Sequence, residues 1–271
     1  MSRDILQKYQ IRAKKSLGQN FLVDENILHK IAISIEVFGK NILEVGPGYG
    51  ALTEKLLEMK PKALHLVELD RSMIEILEDR IQRQDFNLQG IYFQIFQQDI
   101  LQYIPIFQKY DVIANIPYYI TSPILRHFLY DITNIPEKML ILMQKDVADK
   151  ILGGKKKKSG VLSLFIEKKC RVSEQLFVPK ESFIPAPKIE SSVLLFEVHH
   201  LYEHINDDAF LQLIKAGFSE PRKKLIKNLA KAYYDGKKVS EFLVKKWLDE
   251  NFRGEDGGIE FWCEFYVFLN I

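Results

Sequence analysis

Asn41-Ile42-Leu43-Glu44-Val45-Gly46-Pro47-Gly48-Tyr49-Gly50-Ala51-Leu52-Thr53-Glu54 reads as a strand, a sharp turn and the start of a helix. Glycines in such a turn let the backbone approach a ligand, and the helix start presents free N–H groups to it. A second apolar run, Ala63 to Leu69, ends in Glu68-Leu69-Asp70. A carboxylate at that strand tip, about 20 residues past the glycines, is where a ribose diol is gripped in doubly wound folds. Residues 46–51 also satisfy GxGxx(G/A), so a nicotinamide-dependent dehydrogenase fits this half equally well. A glycine turn with no ligand is the third reading, and the position of Glu68 speaks against it. A nucleotide-type cofactor follows, of unspecified identity.

Moving toward the C-terminus, Arg71 to Ile81 carries Ile74, Leu77 and Ile81 on one helical face, and Ile91 to Phe96 predicts a third strand. Asp99, just past it, either accepts from an adenine amino group or caps a short turn. The fourth strand comes from Tyr110-Asp111-Val112-Ile113-Ala114, followed by Asn115-Ile116-Pro117-Tyr118-Tyr119. Pro117 cannot donate to a ladder, so the strand ends before it and Asn115 falls at the carboxyl edge of the sheet. There, the Asn115 amide oxygen and the Ile116 carbonyl are two acceptors beside the Tyr118 ring. That set suits a planar heterocycle with an exocyclic amino group; an ordinary proline loop is the plainer alternative.

Met139 to Met143 predicts a central fifth strand, and Val193 to Val198 another. Between them, Gly153 to Gly160 is a basic loop containing Lys155 and Lys156, and Phe183-Ile184-Pro185-Ala186-Pro187-Lys188 is a stiff extended segment. Phe183 there either stacks on an extruded base, worth about 1–3 kcal/mol, or fills the core. On the N-terminal side, Arg12 to Asp24 holds Lys14 and Lys15, then Gly18-Gln19-Asn20-Phe21-Leu22, with Asp24 as an N-cap for the following helix. From about His199 the pattern turns helical, which places a domain boundary at 198/199. Residues 210–218 and 225–234 are amphipathic, and Arg222, Lys223 and Lys224 between them, with Lys227 and Lys231, form a basic face compatible with a phosphate backbone. His200 and His204 have metal-pair spacing but no third ligand, so no metal is expected.

Bulk composition narrows the classes. A 271-residue chain, 47% hydrophobic, is long enough for one full-sized domain and a smaller one. Its net charge of +2 leaves nucleic-acid binding to local patches. Cys170 and Cys263 lack metal-ligand or CxxC spacing. Met1-Ser2-Arg3-Asp4 opens no signal peptide and no apolar run spans a bilayer, so a soluble cytoplasmic protein is expected.

Taken in order and spacing, Gly18–Leu22, Glu44–Gly48, Val67–Asp70, Gln98-Asp99, Asn115–Tyr118, Gln144-Lys145 and Phe183–Lys188 resemble the KsgA-type small-subunit ribosomal RNA adenine dimethyltransferases along nearly the whole chain. The resemblance implies a Rossmann-like α/β fold: a seven-stranded S-adenosylmethionine-dependent methyltransferase domain with a small all-α C-terminal domain that docks RNA. It implies that Asn20, Leu22, Gly46, Gly48, Glu68, Asp99 and Asn115 line the S-adenosylmethionine site, with Glu68 on the ribose hydroxyls and Asp99 on the adenine amino group. Catalysis would fall to Asn115, Ile116, Tyr118 and Phe183. RNA contacts would fall to Lys14, Lys15, Lys155, Lys156, Arg222, Lys223 and Lys224. The expected partner is small-subunit rRNA in a pre-ribosomal particle, met by a monomer. Two departures stand out: Tyr119, where many members have Asn, and Glu220-Pro221 before the Arg-Lys step. An Erm-type methyltransferase acting on large-subunit RNA, a dehydrogenase and a non-catalytic RNA-binding assembly or transcription factor are the rivals.

Overall fold

The structure is a computed structural model that describes residues 2–153 and 158–271, with Tyr118 by its backbone alone. Lys155 and Lys156 therefore lie outside the described residues. Among the described residues nine strands are formed: β1 (Phe21–Leu22), β2 (Asn41–Val45), β3 (Ala63–Glu68), β4 (Tyr92–Gln97), β5 (Asp111–Asn115), β6 (Lys138–Gln144), β7 (Cys170–Val178), β8 (Phe183–Ile184) and β9 (Ser191–Val198). Seven of them make one sheet in the order β4-β3-β2-β5-β6-β9-β7. The seven-stranded sheet implied by the resemblance is present. β2 pairs in parallel with both β3 and β5, so the strand order reverses at β2. In an open α/β sheet the crevice outside the carboxyl ends at that reversal is where ligands bind.

Burial explains which strands were legible. β2, β3, β5 and β6 are buried almost from end to end. They are covered on both faces and so read as continuous apolar runs. β7, Cys-Arg-Val-Ser-Glu-Gln-Leu-Phe-Val, is a sheet edge whose interior residues are mostly exposed. It carries too many polar residues to be predicted, and the sequence reading misses it. β1 and β8, two residues each, form an antiparallel pair that opposes Leu22 to Phe183.

Two compact units emerge, residues 1–148 with 172–198, and residues 149–171 with 199–271. The single boundary expected at 198/199 thus differs from the contacts in the chain, which return residues 149–171 to the helical unit. The reason is packing: Leu164 of the helix Val161–Glu167 joins the core of Phe210, Leu213, Leu225, Leu229, Trp262 and Phe265. The buried Lys168 ammonium pairs with Asp207 and donates to the Ile205 carbonyl at 2.9 Å. In that unit His200 Nδ1 lies 2.5 Å from Glu203 Oε1. Among the described residues no three His, Cys, Asp or Glu side chains gather as a metal site, and no helix is long and apolar enough to cross a membrane.

Candidate active site

A cleft enclosing about 1050 Å³, part of it open to solvent, lies over the carboxyl ends of β2, β3, β4 and β5. Its wall contains Asn20, Leu22, Gly46, Gly48, Glu68, Asp99, Asn115, Ile116 and Phe183, so the positions expected to line the cofactor site share one space with Ile116 and Phe183, while Lys14 and Lys15 are not part of it. The side chain of Tyr118 lies outside the described residues.

The glycine turn has this shape because only glycine allows it. Gly46 sits at φ +69°, and a Cβ there would stand 3.0 Å from the Asn115 carbonyl oxygen. That close approach seats the turn directly against the tip of β5. Gly50, at φ +87°, would drive a Cβ to 2.8 Å from both Leu77 and Phe86. Beneath it the buried Arg80 guanidinium donates to the Tyr49 and Gly50 carbonyls at 2.9 and 3.2 Å and to Glu54 at 2.9 Å. Arg80 closes the far end of the turn, a role that sequence reasoning missed.

Glu68, at the tip of β3, is fixed by backbone. Its carboxylate accepts N–H bonds from Gly48 at 3.0 Å and from Leu69 and Asp70 at 2.9 Å each. Burial lifts its pKa above the usual range against the pull of those donors. Glu44, inside β2 and on the same cleft, was not singled out by sequence. Burial pushes it up to about 8; the 2.7 Å hydrogen bond from Thr53 opposes the shift and the neighbouring Glu68 charge adds to it. Burial thus favours the protonated form of Glu44. The signal for it was a lone carboxylate in an otherwise apolar strand.

Asp99 caps the turn Ile100–Gln102 by accepting from the Leu101 N–H at 3.0 Å, the second of the two sequence readings, and it also lines the cleft. Asn115 behaves differently from its neighbours. Half-buried at the end of β5, its carboxamide forms no hydrogen bond among the described residues.

The N-terminal segment completes the wall through Leu17, Gly18, Gln19 and Asn20. Asp70 holds it there: one carboxylate oxygen takes Lys14 Nζ at 2.6 Å and the other Gln19 Nε2 at 2.8 Å. Gln19 Oε1 in turn accepts the Lys14 N–H at 2.9 Å. Burial raises Asp70, but the bonds from Lys14, Ser72 and Gln19 prevail and hold it below the usual carboxylate range. Lys14, expected against RNA phosphates, is instead committed to this clip, while Lys15 stays exposed. At the other side of the cleft, a Cβ on Gly18 would meet Pro117 and the Tyr119 ring at 3.3 Å. The departure at Tyr119 therefore puts an aromatic face against the N-terminal segment.

Phe183 is 3% exposed and belongs to the core cluster with Phe21, Leu22 and Tyr49. It lines the cleft as packed wall rather than as a free aromatic plate, because β8 pairs with β1 and draws it inward. In the helical unit, Arg222 and Lys223 are exposed, whereas Lys224 lies 3.7 Å from Glu250. Lys231 pairs with Glu220, the residue at the second departure.

With this geometry in hand, comparison is decisive: residues 10–263 match the ribosomal RNA adenine dimethylase family. The chain belongs to that family. Ribosomal RNA small subunit methyltransferase A of Clostridioides difficile is 34% identical, covering 100% of this chain and 94% of its own. The protein of that name from Mycoplasma mobile is 39% identical over 86% of this chain and 88% of its own. Among solved structures, a dimethyladenosine transferase from Plasmodium falciparum aligns with a TM-score of 0.76 at 23% identity, over 92% of this chain and 97% of that one. The 23S rRNA methyltransferase ErmE aligns at 0.73 and 20% identity, over 93% and 100%. These two show the Rossmann-like methyltransferase fold. Members of the dimethylase family use S-adenosylmethionine, and the cleft fits it: a fixed acceptor at Glu68, a second carboxylate at Asp99 and a glycine turn that leaves room at Gly46 and Gly48.

Proposed function

We infer that this chain dimethylates the exocyclic amino groups of two adjacent adenosines in the 3′-terminal hairpin of small-subunit rRNA, using S-adenosylmethionine and acting on a pre-ribosomal particle in the cytoplasm. The observation that carries the reading is the idle Asn115 carboxamide, placed on the wall it shares with the glycine turn. When bound, S-adenosylmethionine supplies an electrophilic methyl carbon on a sulfonium. Glu68 takes the ribose hydroxyls and Asp99 the adenine amino group of that cofactor, with Asn20, Leu22, Gly46 and Gly48 forming the rest of the wall.

An adenine amine is a poor nucleophile because its lone pair is delocalised into the ring. Asn115 Oδ1 and the Ile116 carbonyl accept its two N–H bonds and so favour the tetrahedral geometry that localises the pair. Acceptors fixed beforehand cost no reorganisation during reaction. Once methylated the amine nitrogen is cationic and acidic, so its proton passes to water without a strong base; among the described residues no histidine lines the cleft. On the sequence alone, Tyr118 is the ring assigned to stack on the extruded base. Phe183, being buried, shapes the wall against which that base is held.

The test is incubation of the purified protein with labelled S-adenosylmethionine and either unmethylated small-subunit particles or large-subunit RNA, with the modified nucleotide mapped. Two adjacent dimethyladenosines near the 3′ end of the small-subunit RNA are expected. Label confined to large-subunit RNA would assign the Erm-type activity instead.

A further inference from the structure

Two aromatic side chains of the helical unit stand almost wholly in water: Tyr233 is 98% exposed and Trp247 96%. Both occupy left-handed backbone, at φ +64° and +58°. For bulky residues that conformation is disfavoured, and it persists where the surroundings hold it. Here the Tyr233 N–H donates to the Ala230 carbonyl at 3.1 Å and the Trp247 N–H to the Val244 carbonyl at 3.0 Å, so the backbone that carries each ring is fixed just beyond a helix end. The helix Gly236–Lys245 separates them, a length of about 15 Å at the usual rise.

Charge tells what such rings would meet. Residues 220–253 hold ten lysines and arginines against five carboxylates, an excess of five, whereas the rest of the chain holds 28 against 31. Among the described residues, Lys227, Lys237 and Lys238 of this stretch, like Arg222 and Lys223, form no ion pair. A hydrophobic partner protein would favour rings in a stretch of balanced charge; these belong to one with an excess of five cations. We propose that Trp247 and Tyr233 are stacking posts for unpaired RNA bases, with the phosphates of the same strand lying against Lys237, Lys238 and their neighbours. Rings exposed at the ends of a basic helix combine the two elements of single-strand recognition, a π-face for each base and cations for the backbone. The inference rests on the rRNA reading above.

The chain has two tryptophans. Trp262 is wholly buried, so emission open to acrylamide reports Trp247. The full-length protein is titrated with protein-free small-subunit rRNA and, separately, with small-subunit particles. The RNA is expected to quench Trp247 and to shield it from acrylamide. Trp247→Ala should weaken RNA binding about 5- to 150-fold with an unchanged melting temperature, while Trp247→Phe stays within about threefold. Lys237→Gln with Lys238→Gln should lower the salt slope of binding by about two. Shielding by particles but not by free RNA would overturn the proposal in favour of a protein contact. If the wild type methylates particles and Trp247→Ala binds RNA as tightly, the posts alone fall. If the wild type neither binds nor methylates the RNA, the parent reading falls and the posts with it.

Discussion

The tips of β3 and β5 flank the same glycine turn, yet they treat their polar atoms in opposite ways. At β3, Glu68 is held in place by three backbone N–H groups, two on Oε1 and one on Oε2, and Asp70 clips the N-terminal segment through Lys14 and Gln19. At β5, the Asn115 carboxamide has no partner among the described residues. A half-buried amide left without a hydrogen bond forgoes about 0.5–1.5 kcal/mol of net stabilisation. The contrast teaches that one tip is built to hold a ligand in a fixed pose and the other keeps its acceptors for a reacting group.

The sharpest way to break this contrast is Asn115→Ala. Loss of one preorganised polar group in an active site lowers turnover about 10²- to 10³-fold, and single-turnover transfer to small-subunit particles should fall by that much. At the β3 tip, Glu68→Gln should instead weaken S-adenosylmethionine binding about 10- to 100-fold, the range for a hydrogen bond to a charged group. Turnover at saturating cofactor should stay within a few-fold, checked by KM and kcat measured together. If both variants moved KM and kcat alike, the two tips would not divide the work.

Between these tips, Glu44 gives a pH signature. Its folded pKa, about 8, lies above its unfolded value near 4.3, so the native state binds the extra proton between those values. Stability contributed by this group is therefore full below about pH 4 and is lost as pH rises toward 8. Glu44→Gln, a neutral mimic that still accepts from Thr53, should flatten that slope in urea melts collected from pH 5 to 9. A smaller effect is expected from Asp70→Asn, which keeps the helix cap but loses the charge facing Lys14. Because Lys14 is half exposed, solvent screening limits the gain from that pair to about 0.2–1 kcal/mol, and cofactor dissociation should speed up at most about fivefold in stopped-flow exchange. An unchanged rate would mean that the Lys14 pair plays no part in holding the N-terminal segment over the cofactor.

How much of this was legible follows from the range of the interactions. The central strands and the turn at Gly46–Gly50 could be read because burial on both faces and backbone conformation leave local marks. Glu68 could be read because its distance from the glycines is set by one strand–helix–strand unit. The Asp70 clip could not: it joins residues 51 and 56 apart, and nothing near Lys14 distinguishes a lysine bound for a carboxylate from one bound for a phosphate. Phe183 shows the same limit, since an aromatic in a proline-rich segment gives no hint that β8 folds back on β1 and buries it. Edge strand β7, polar over its middle, lacked the burial that makes a strand visible.

The central claim is that Asn115 serves the transferred group's acceptor and not the cofactor. Calorimetric titration of Asn115→Ala with S-adenosylmethionine tests it directly. The account predicts an affinity within about fivefold of wild type in a protein that no longer transfers methyl groups; an affinity that collapses in step with transfer would contradict it.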